Sequence, residues 1–209
     1  MADAASARAR LCDPEAEVSA HYLIDETGAV EQLVPEDRRA WHAGAGSWRG
    51  QDDVNSRSIG IEIANPGDRP FAAAQMDALT DLLRGMMSRW GIGPKGVIAH
   101  SDLAPTRKCD PGPRFDWERL ARQGLALWSG PGADRPLADS LTAIGYPDAP
   151  ADMRLAAFRL RFRPWGAGAE TEQDRRAAAW VADHQVGFEY QAGQGALPPS
   201  PEGDSPRIF

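Results

Sequence analysis

The sequence predicts an α/β fold: a mixed central sheet flanked by helices, followed by a small C-terminal helical domain. Three observations predict it. The stretch Ser58–Ala64 ("SIGIEIA") alternates apolar and non-apolar positions, as a half-buried strand does. The stretch Phe71–Gly91 repeats apolar residues at helical spacing. After a Gly/Pro-rich break at Trp128–Pro136, only helical patterns follow.

Taken in chain order, Ala2–Pro14 has the look of a short helix. Val18–Ile24 and Ala29–Val34 flank a turn at Thr27-Gly28 and read as a hairpin. Ala40–Arg57 is rich in Gly, Ser, Asn and Asp and reads as loop. In the next strand, Ile59, Ile61 and Ile63 fall on one face and Gly60, Glu62 and Ala64 on the other, and Asn65-Pro66-Gly67 ends it. The helix that follows places Met76, Leu79, Leu82, Leu83, Met86 and Trp90 along one stripe and closes at Gly91. Gly96–His100 ("GVIAH") reads as a short buried strand with His100 at its C-terminal end. A Pro-rich loop spans 101–115, and Asp116 caps a helix running to Gln123. Helical patterns recur at Leu137–Ile144, Met153–Phe162 and Glu172–His184. The Pro/Gly/Ser-rich tail reads as disordered. The expected units are 1–127, a linker at 128–136, a three-helix unit at 137–190 and a tail at 191–209.

At 209 residues with a net charge of −7, the chain lacks the basic face that nonspecific nucleic-acid binding needs. No apolar run reaches membrane-span length, and "MADAASARARLCDPEAE" has no apolar segment of a secretory signal. The chain as it stands therefore reads as a cytoplasmic monomer, or as an envelope or periplasmic protein if its true start lies upstream of Met1. Its two cysteines, Cys12 and Cys109, form neither a disulfide framework nor a structural zinc spacing.

Chemistry concentrates in "HSDLAPTRKCDPGPRFDW" (His100–Trp117). Prolines give that loop a fixed shape, so it is able to return Asp110 to His100. Imidazole nitrogen and carboxylate oxygen suit Zn²⁺, though a His and an Asp at this spacing are also common surface residues. Glu62 lies on the strand face opposite the isoleucines, which opens either on solvent or on a cleft. In a cleft, a carboxylate there orients water and moves its proton. Lys108 is one of two lysines among 23 basic residues. It is either a chance surface residue or a compact positive charge for a developing oxyanion. Trp41 and His42, in "AWHAG", line a groove for sugar or peptide or else pack inside. His184 lies apart from these residues in the last helix pattern.

Four stretches in order, "VSAHYLIDETGAV", "AWHAG", "NSRSIGIEIANPG" and "HSDLAPTRKCDPGPRFDW", resemble the type 2 N-acetylmuramoyl-L-alanine amidases of peptidoglycan. These are kin to phage amidases and peptidoglycan recognition proteins. The resemblance covers about residues 10–127, and the three helical patterns beyond it look like a small peptidoglycan-binding domain. It implies one Zn²⁺ ion, with His100 and Asp110 as ligands, Glu62 assisting the water and Lys108 stabilising the oxyanion. It also implies Arg107 as a holder of a stem-peptide carboxylate. The substrate would be peptidoglycan or muropeptides, cut between N-acetylmuramic acid and L-alanine. One departure is plain: the family's first strand and its terminal zinc-ligand histidine have no counterpart here. His21 matches a different family histidine. The alternative reading is therefore a muropeptide-binding pseudo-amidase that does not cut.

Overall fold

The computed structural model describes residues 3–186 and 207–208. Helix α1 (Ala4–Leu11) starts where the Asp3 carboxylate accepts the Ser6 N–H at 2.8 Å. The expected hairpin forms with shorter strands, β1 (Tyr22–Ile24) antiparallel to β2 (Val30–Gln32). Asp25 organises its turn by accepting the N–H groups of Thr27 and Ala29, both at 2.8 Å. Gly28 stands at φ +88°, and a Cβ there would lie 2.5 Å from the Ala74 carbonyl oxygen, so only glycine fits.

The alternating stretch is two strands, β3 (Ser58–Ile59) and β4 (Ile61–Ile63), interrupted at Gly60. Strand β4 runs parallel to β1, giving a mixed sheet of order β2-β1-β4 in which Leu23 pairs with Glu62. Helix α2 (Ala73–Trp90) lies on this layer and ends at Gly91. Its Gln75 side chain accepts the Ala72 N–H at 3.2 Å and donates to the Ala64 carbonyl at 2.7 Å, tying the helix start to the end of β4. Met76, Leu79, Leu83 and Met86 are all buried, at spacings of three and four. Each such side chain is worth about 1.5–3 kcal/mol of burial.

The segment before His100 corrects the expected strand. Of Val97–Ala99, only Val97 makes a β-bridge, and His100 opens a short helix, α3 (His100–Leu103). The reason is local: the Asp102 carboxylate accepts the Ala99 N–H at 2.9 Å, a side-chain cap that turns the chain into a helix. Helix α4 (Trp117–Arg122) begins as expected, Asp116 accepting the Arg119 N–H at 2.9 Å.

Helices α5 (Leu137–Ile144), α6 (Ala151–Phe162) and α7 (Glu172–Val186) agree with the three C-terminal patterns. The stretch expected as a linker is irregular but packed: Ser129 donates to the Phe162 carbonyl at 3.0 Å. The helices share one hydrophobic core with the first 127 residues, in which Trp48, Val54, Ile98 and Leu103 pack with Leu141, Ile144, Phe158 and Val181. Most of the expected disordered tail lies outside the described residues. Its Arg207–Ile208 form a strand, β5, parallel to β3. Ile208 is buried in the core of the sheet layer, and its carbonyl accepts the Ile98 N–H at 2.8 Å. Backbone edges on β3 and on Val97–Ile98 thus find partners in this strand.

A buried carboxylate locks the hairpin to the end of α2. Glu36 accepts from the Tyr22 hydroxyl at 2.7 Å, from the Trp90 indole at 2.6 Å and from Arg89 at 3.0 and 2.5 Å. Burial alone would raise its pKa, but these donors outweigh it and hold the carboxyl down at about 2. A folded-state pKa below the ordinary value contributes stability above pH ~4.5 that is lost as pH falls toward 2. Allowing for screening at the half-exposed Arg89, this is on the order of 2 kcal/mol. In urea unfolding, the stability gap between the native chain and Glu36→Gln is therefore expected to be widest at neutral pH and to close between pH 4.5 and 2. A gap that stays constant over that range contradicts the assignment.

Candidate active site

His100, Lys108 and Asp110 reach one place because the loop between them is tightly turned. Arg107 and Lys108 donate their N–H groups to the Ala104 carbonyl at 3.0 and 2.9 Å, and the Asp110 carbonyl accepts the Ser101 N–H at 3.1 Å. These bonds bring Asp110 back beside the start of α3. Its Oδ2 lies 3.0 Å from His100 Nδ1. Burial pushes the Asp110 carboxyl up, but the hydrogen bond and positive charge of His100 prevail and hold it below its ordinary value.

The other nitrogen of His100 fixes the tautomer. Nε2 lies 2.8 Å from the Ala43 carbonyl oxygen, so Nε2 carries the hydrogen and donates. In neutral imidazole, Nδ1 then presents a lone pair to a carboxylate, and two acceptors face each other. That arrangement calls for a positive charge between them, either a proton on the ring or a metal cation. A metal-bound histidine ordinarily donates its second N–H to a carbonyl, as His100 does. Two donors on one tetrahedral zinc, each at ~2.0–2.1 Å, stand roughly 3.3 Å apart, close to the separation seen here. The pair therefore fits zinc in donor type, tautomer and spacing. Among the described residues no group of three or more His, Cys, Asp or Glu converges, so the pair supplies two protein donors.

Glu62 joins them. With Trp41, His100, Lys108 and Asp110 it lines a cavity of about 600 Å³ that runs inward to Leu79, Leu83, Val97 and Ile208. Its neighbours Ile61 and Ile63, half-buried, border the same cavity, so both faces of β4 contribute to it. Trp41 stands at the cavity wall, 54% exposed. His42 also borders the cavity, yet its ring is packed inside. Burial, then the neighbouring His21 and His100, push its pKa down to about 3, so it is a neutral ring. It meets His21 edge-on at 5.3 Å between ring centroids.

His21 does not turn toward the pair. Its Nδ1 accepts the Gly60 N–H at 3.0 Å and its Nε2 donates to the Arg38 carbonyl at 2.9 Å, so both nitrogens serve the backbone. Gly60 lies against both imidazoles, and a Cβ there would stand 2.3 Å from His42 Cγ. Gly60→Ala is expected to cost about 2 kcal/mol by overpacking, read as a lower thermal midpoint. An unchanged midpoint would mean that the His42 ring yields freely.

Arg107 is not brought into this cavity. Its guanidinium donates to the carbonyls of Ala43 at 2.8 Å and Ala45 at 2.6 Å, and it lines a second hollow with Gly44 and Asp148. It clamps the loop whose Ala43 carbonyl sets the His100 tautomer. His184 is stacked on Trp180 in α7, away from the site. Cys109 is exposed and free.

Sequence reasoning missed Asn55, whose buried side chain accepts the N–H groups of His42 at 3.0 Å and Ala43 at 2.8 Å. Its signal was an asparagine inside a loop that has to be held still. It also missed Asp102, Tyr146 and Arg161, which meet behind His100.

The family model described as N-acetylmuramoyl-L-alanine amidase matches residues 1–113. Over 213 aligned residues the chain is 37% identical to the N-acetylmuramoyl-L-alanine amidase AmiD of Escherichia coli K12, covering 83% of this chain and 76% of that protein. It is 42% identical over 103 residues to the 1,6-anhydro-N-acetylmuramyl-L-alanine amidase AmpD of the same organism, covering 49% of this chain and 56% of AmpD. The solved structure of E. coli AmiD in complex with the substrate anhydro-N-acetylmuramic acid-L-Ala-D-γ-Glu-L-Lys matches with a TM-score of 0.78 at 34% identity, covering 88% of this chain and 86% of that one. Pseudomonas aeruginosa AmpDh3, solved with an anhydromuramic pentapeptide, gives 0.76 at 30% identity and 87% coverage of each chain. A family match over more than half of the chain and a relative of this identity and coverage lead to one conclusion: the chain belongs to the N-acetylmuramoyl-L-alanine amidase family.

Proposed function

We propose that this chain hydrolyses the amide between N-acetylmuramic acid and L-alanine in peptidoglycan or muropeptides, with a zinc ion held by His100 and Asp110. The observation that carries this reading is the convergence of His100, Asp110, Lys108 and Glu62 on one cavity. When bound, zinc supplies a Lewis acid that polarises the scissile carbonyl and makes water a better nucleophile. Glu62 takes a proton from the attacking water as its oxygen bonds to the carbonyl carbon. Lys108 offset the charge that gathers on the carbonyl oxygen at that moment. As the C–N bond breaks, Glu62 returns the proton to the departing L-alanine nitrogen, and the remaining proton of the attacking water follows it, leaving a lactyl carboxylate and an L-alanine ammonium. Trp41 presents an aromatic face at the cavity wall for the sugar or the peptide. The three-helix unit from residue 137 onward is the proposed wall-binding part.

A second reading, muropeptide binding without cleavage, is favoured by one observation: only two protein donors meet at the site among the described residues, where a catalytic zinc takes three. One experiment separates the readings. The purified chain is incubated with a defined muropeptide after dialysis against chelator and again after zinc is restored. Hydrolysis that vanishes and returns supports the amidase. Saturable binding with no hydrolysis in either state leaves the binding module.

A further inference from the structure

The C-terminal helices do more than share a core with the site. Asp102 lies two residues after His100 and is fully buried; Arg161, on α6, is 2% exposed. Arg161 donates from Nη1 to Asp102 Oδ2 at 2.7 Å and from Nη2 to the Val97 carbonyl at 2.8 Å. The other carboxylate oxygen, Oδ1, accepts the Tyr146 hydroxyl at 2.6 Å, and Oδ2 also accepts the Ala99 N–H. The guanidinium also contacts two rings, with its carbon 4.3 Å from the centroid of Trp117 and 4.8 Å from that of Phe162.

One guanidinium and one carboxylate thereby hold residues 97, 99 and 102, on both sides of His100. Neither the Arg161 contact to Val97 nor the Tyr146 contact is needed to form α3, since Asp102 already caps Ala99. What they fix is where the α3 turn sits relative to the 97–99 segment, and hence where the His100 ring points. A fork is required: a lysine would keep the charge but cannot reach both a carbonyl and a carboxylate with planar, divergent N–H groups.

We propose that Arg161 and Tyr146 are positioning residues for His100, so that the C-terminal helical unit is a working part of the metal site as well as the proposed wall-binding part. The inference rests on the function proposed above. It concerns residues that touch neither substrate nor metal and act through Asp102 and the α3 backbone.

The test uses the full chain and two conservative variants, Tyr146→Phe and Arg161→Lys. Three quantities are read: zinc affinity by competition with a chromogenic chelator, KM and kcat on a muropeptide, and the ring nitrogen shifts of His100 by ¹⁵N NMR. Tyr146→Phe keeps the ring and its packing and removes one donor. Each variant is expected to bind zinc ~10-fold more weakly, to lose a similar factor in kcat with KM within about twofold, and to shift His100 ring signals while those of His21 stay in place. A purely structural role predicts instead a lower unfolding midpoint with native His100 shifts and native zinc affinity, and that result overturns the proposal. If Arg161→Lys does not fold, Tyr146→Phe alone decides. A native chain that binds no zinc and cuts no muropeptide overturns the proposed function, while the His100 shifts still decide the positioning role.

Discussion

Lys108→Ala is expected to lower turnover on a muropeptide by about 10²–10³-fold while leaving zinc affinity near native. The lysine sits on the cavity wall with Asp110, and in the proposed mechanism its compact charge faces an oxygen that becomes negative only as the reaction proceeds. Losing one such donor typically costs that factor in kcat, because the interaction strengthens at the transition state and contributes little to ground-state binding. KM is expected to stay within a few-fold. Lys108→Arg is expected to recover little, since a planar fork spreads its charge and reaches further than an ammonium. Native turnover in Lys108→Ala, measured at saturating zinc, would remove Lys108 from the mechanism.

Asp110→Ala is expected to have the larger effect on the metal. It removes one of the two proposed zinc donors and leaves His100 Nδ1 without its carboxylate neighbour. Zinc affinity is expected to fall by at least 10²-fold in a chelator competition, with activity lost at any zinc concentration below that shifted affinity. Stability without zinc is expected to change little, because the Asp110 side chain is 57% exposed. Asp110→Asn separates charge from shape: it keeps the hydrogen bond to His100 and removes the anionic donor. Equal zinc affinity in the native chain and in Asp110→Asn would contradict a role as ligand.

How far such predictions were legible in the sequence depends on the range of the interactions behind them. Helix α2 announced itself through Met76, Leu79, Leu83 and Met86, because helical burial repeats every three to four residues. The hairpin did so through its Thr27-Gly28 turn between two apolar runs, and the structure adds Asp25, which accepts from Thr27 and Ala29 within the same five positions. The loop from His100 to Asp110 was legible because its prolines and its acidic and basic residues lie close together in the chain. Other features depend on partners far away. Strand β5 consists of Arg207 and Ile208, two residues with no periodicity to read, and its partners are Ser58, Ile59 and Val97. Arg161 sits in a helix whose pattern shows where it buries, yet nothing in that pattern shows that it pairs with Asp102. His100 looked like the end of a strand because Val97–Ala99 is apolar; the cap from Asp102 overrode that tendency. Arg107 looked available for a substrate carboxylate, but the carbonyls of Ala43 and Ala45 claim its guanidinium.

The carbonyl of Ala43 shows how these levels connect. Asn55 holds its loop, Arg107 clamps it from the other side, and the oxygen then fixes the hydrogen of His100 on Nε2. Nδ1 then faces the Asp110 carboxylate, and the site acquires its demand for a positive charge between them, a ring proton or a metal cation. A loop with no regular structure thus sets the chemistry of a ring 57 residues away in the chain.

The central claim is that this cavity cuts one particular amide. Mass spectrometry of the products from an anhydro-N-acetylmuramyl peptide, incubated with the chain and zinc, tests it most directly. The account predicts two products, anhydro-N-acetylmuramic acid with a free lactyl carboxylate and a stem peptide with a free L-alanine amine, both absent with Asp110→Ala. Intact substrate after prolonged incubation at saturating zinc, or cleavage within the stem peptide, would contradict it.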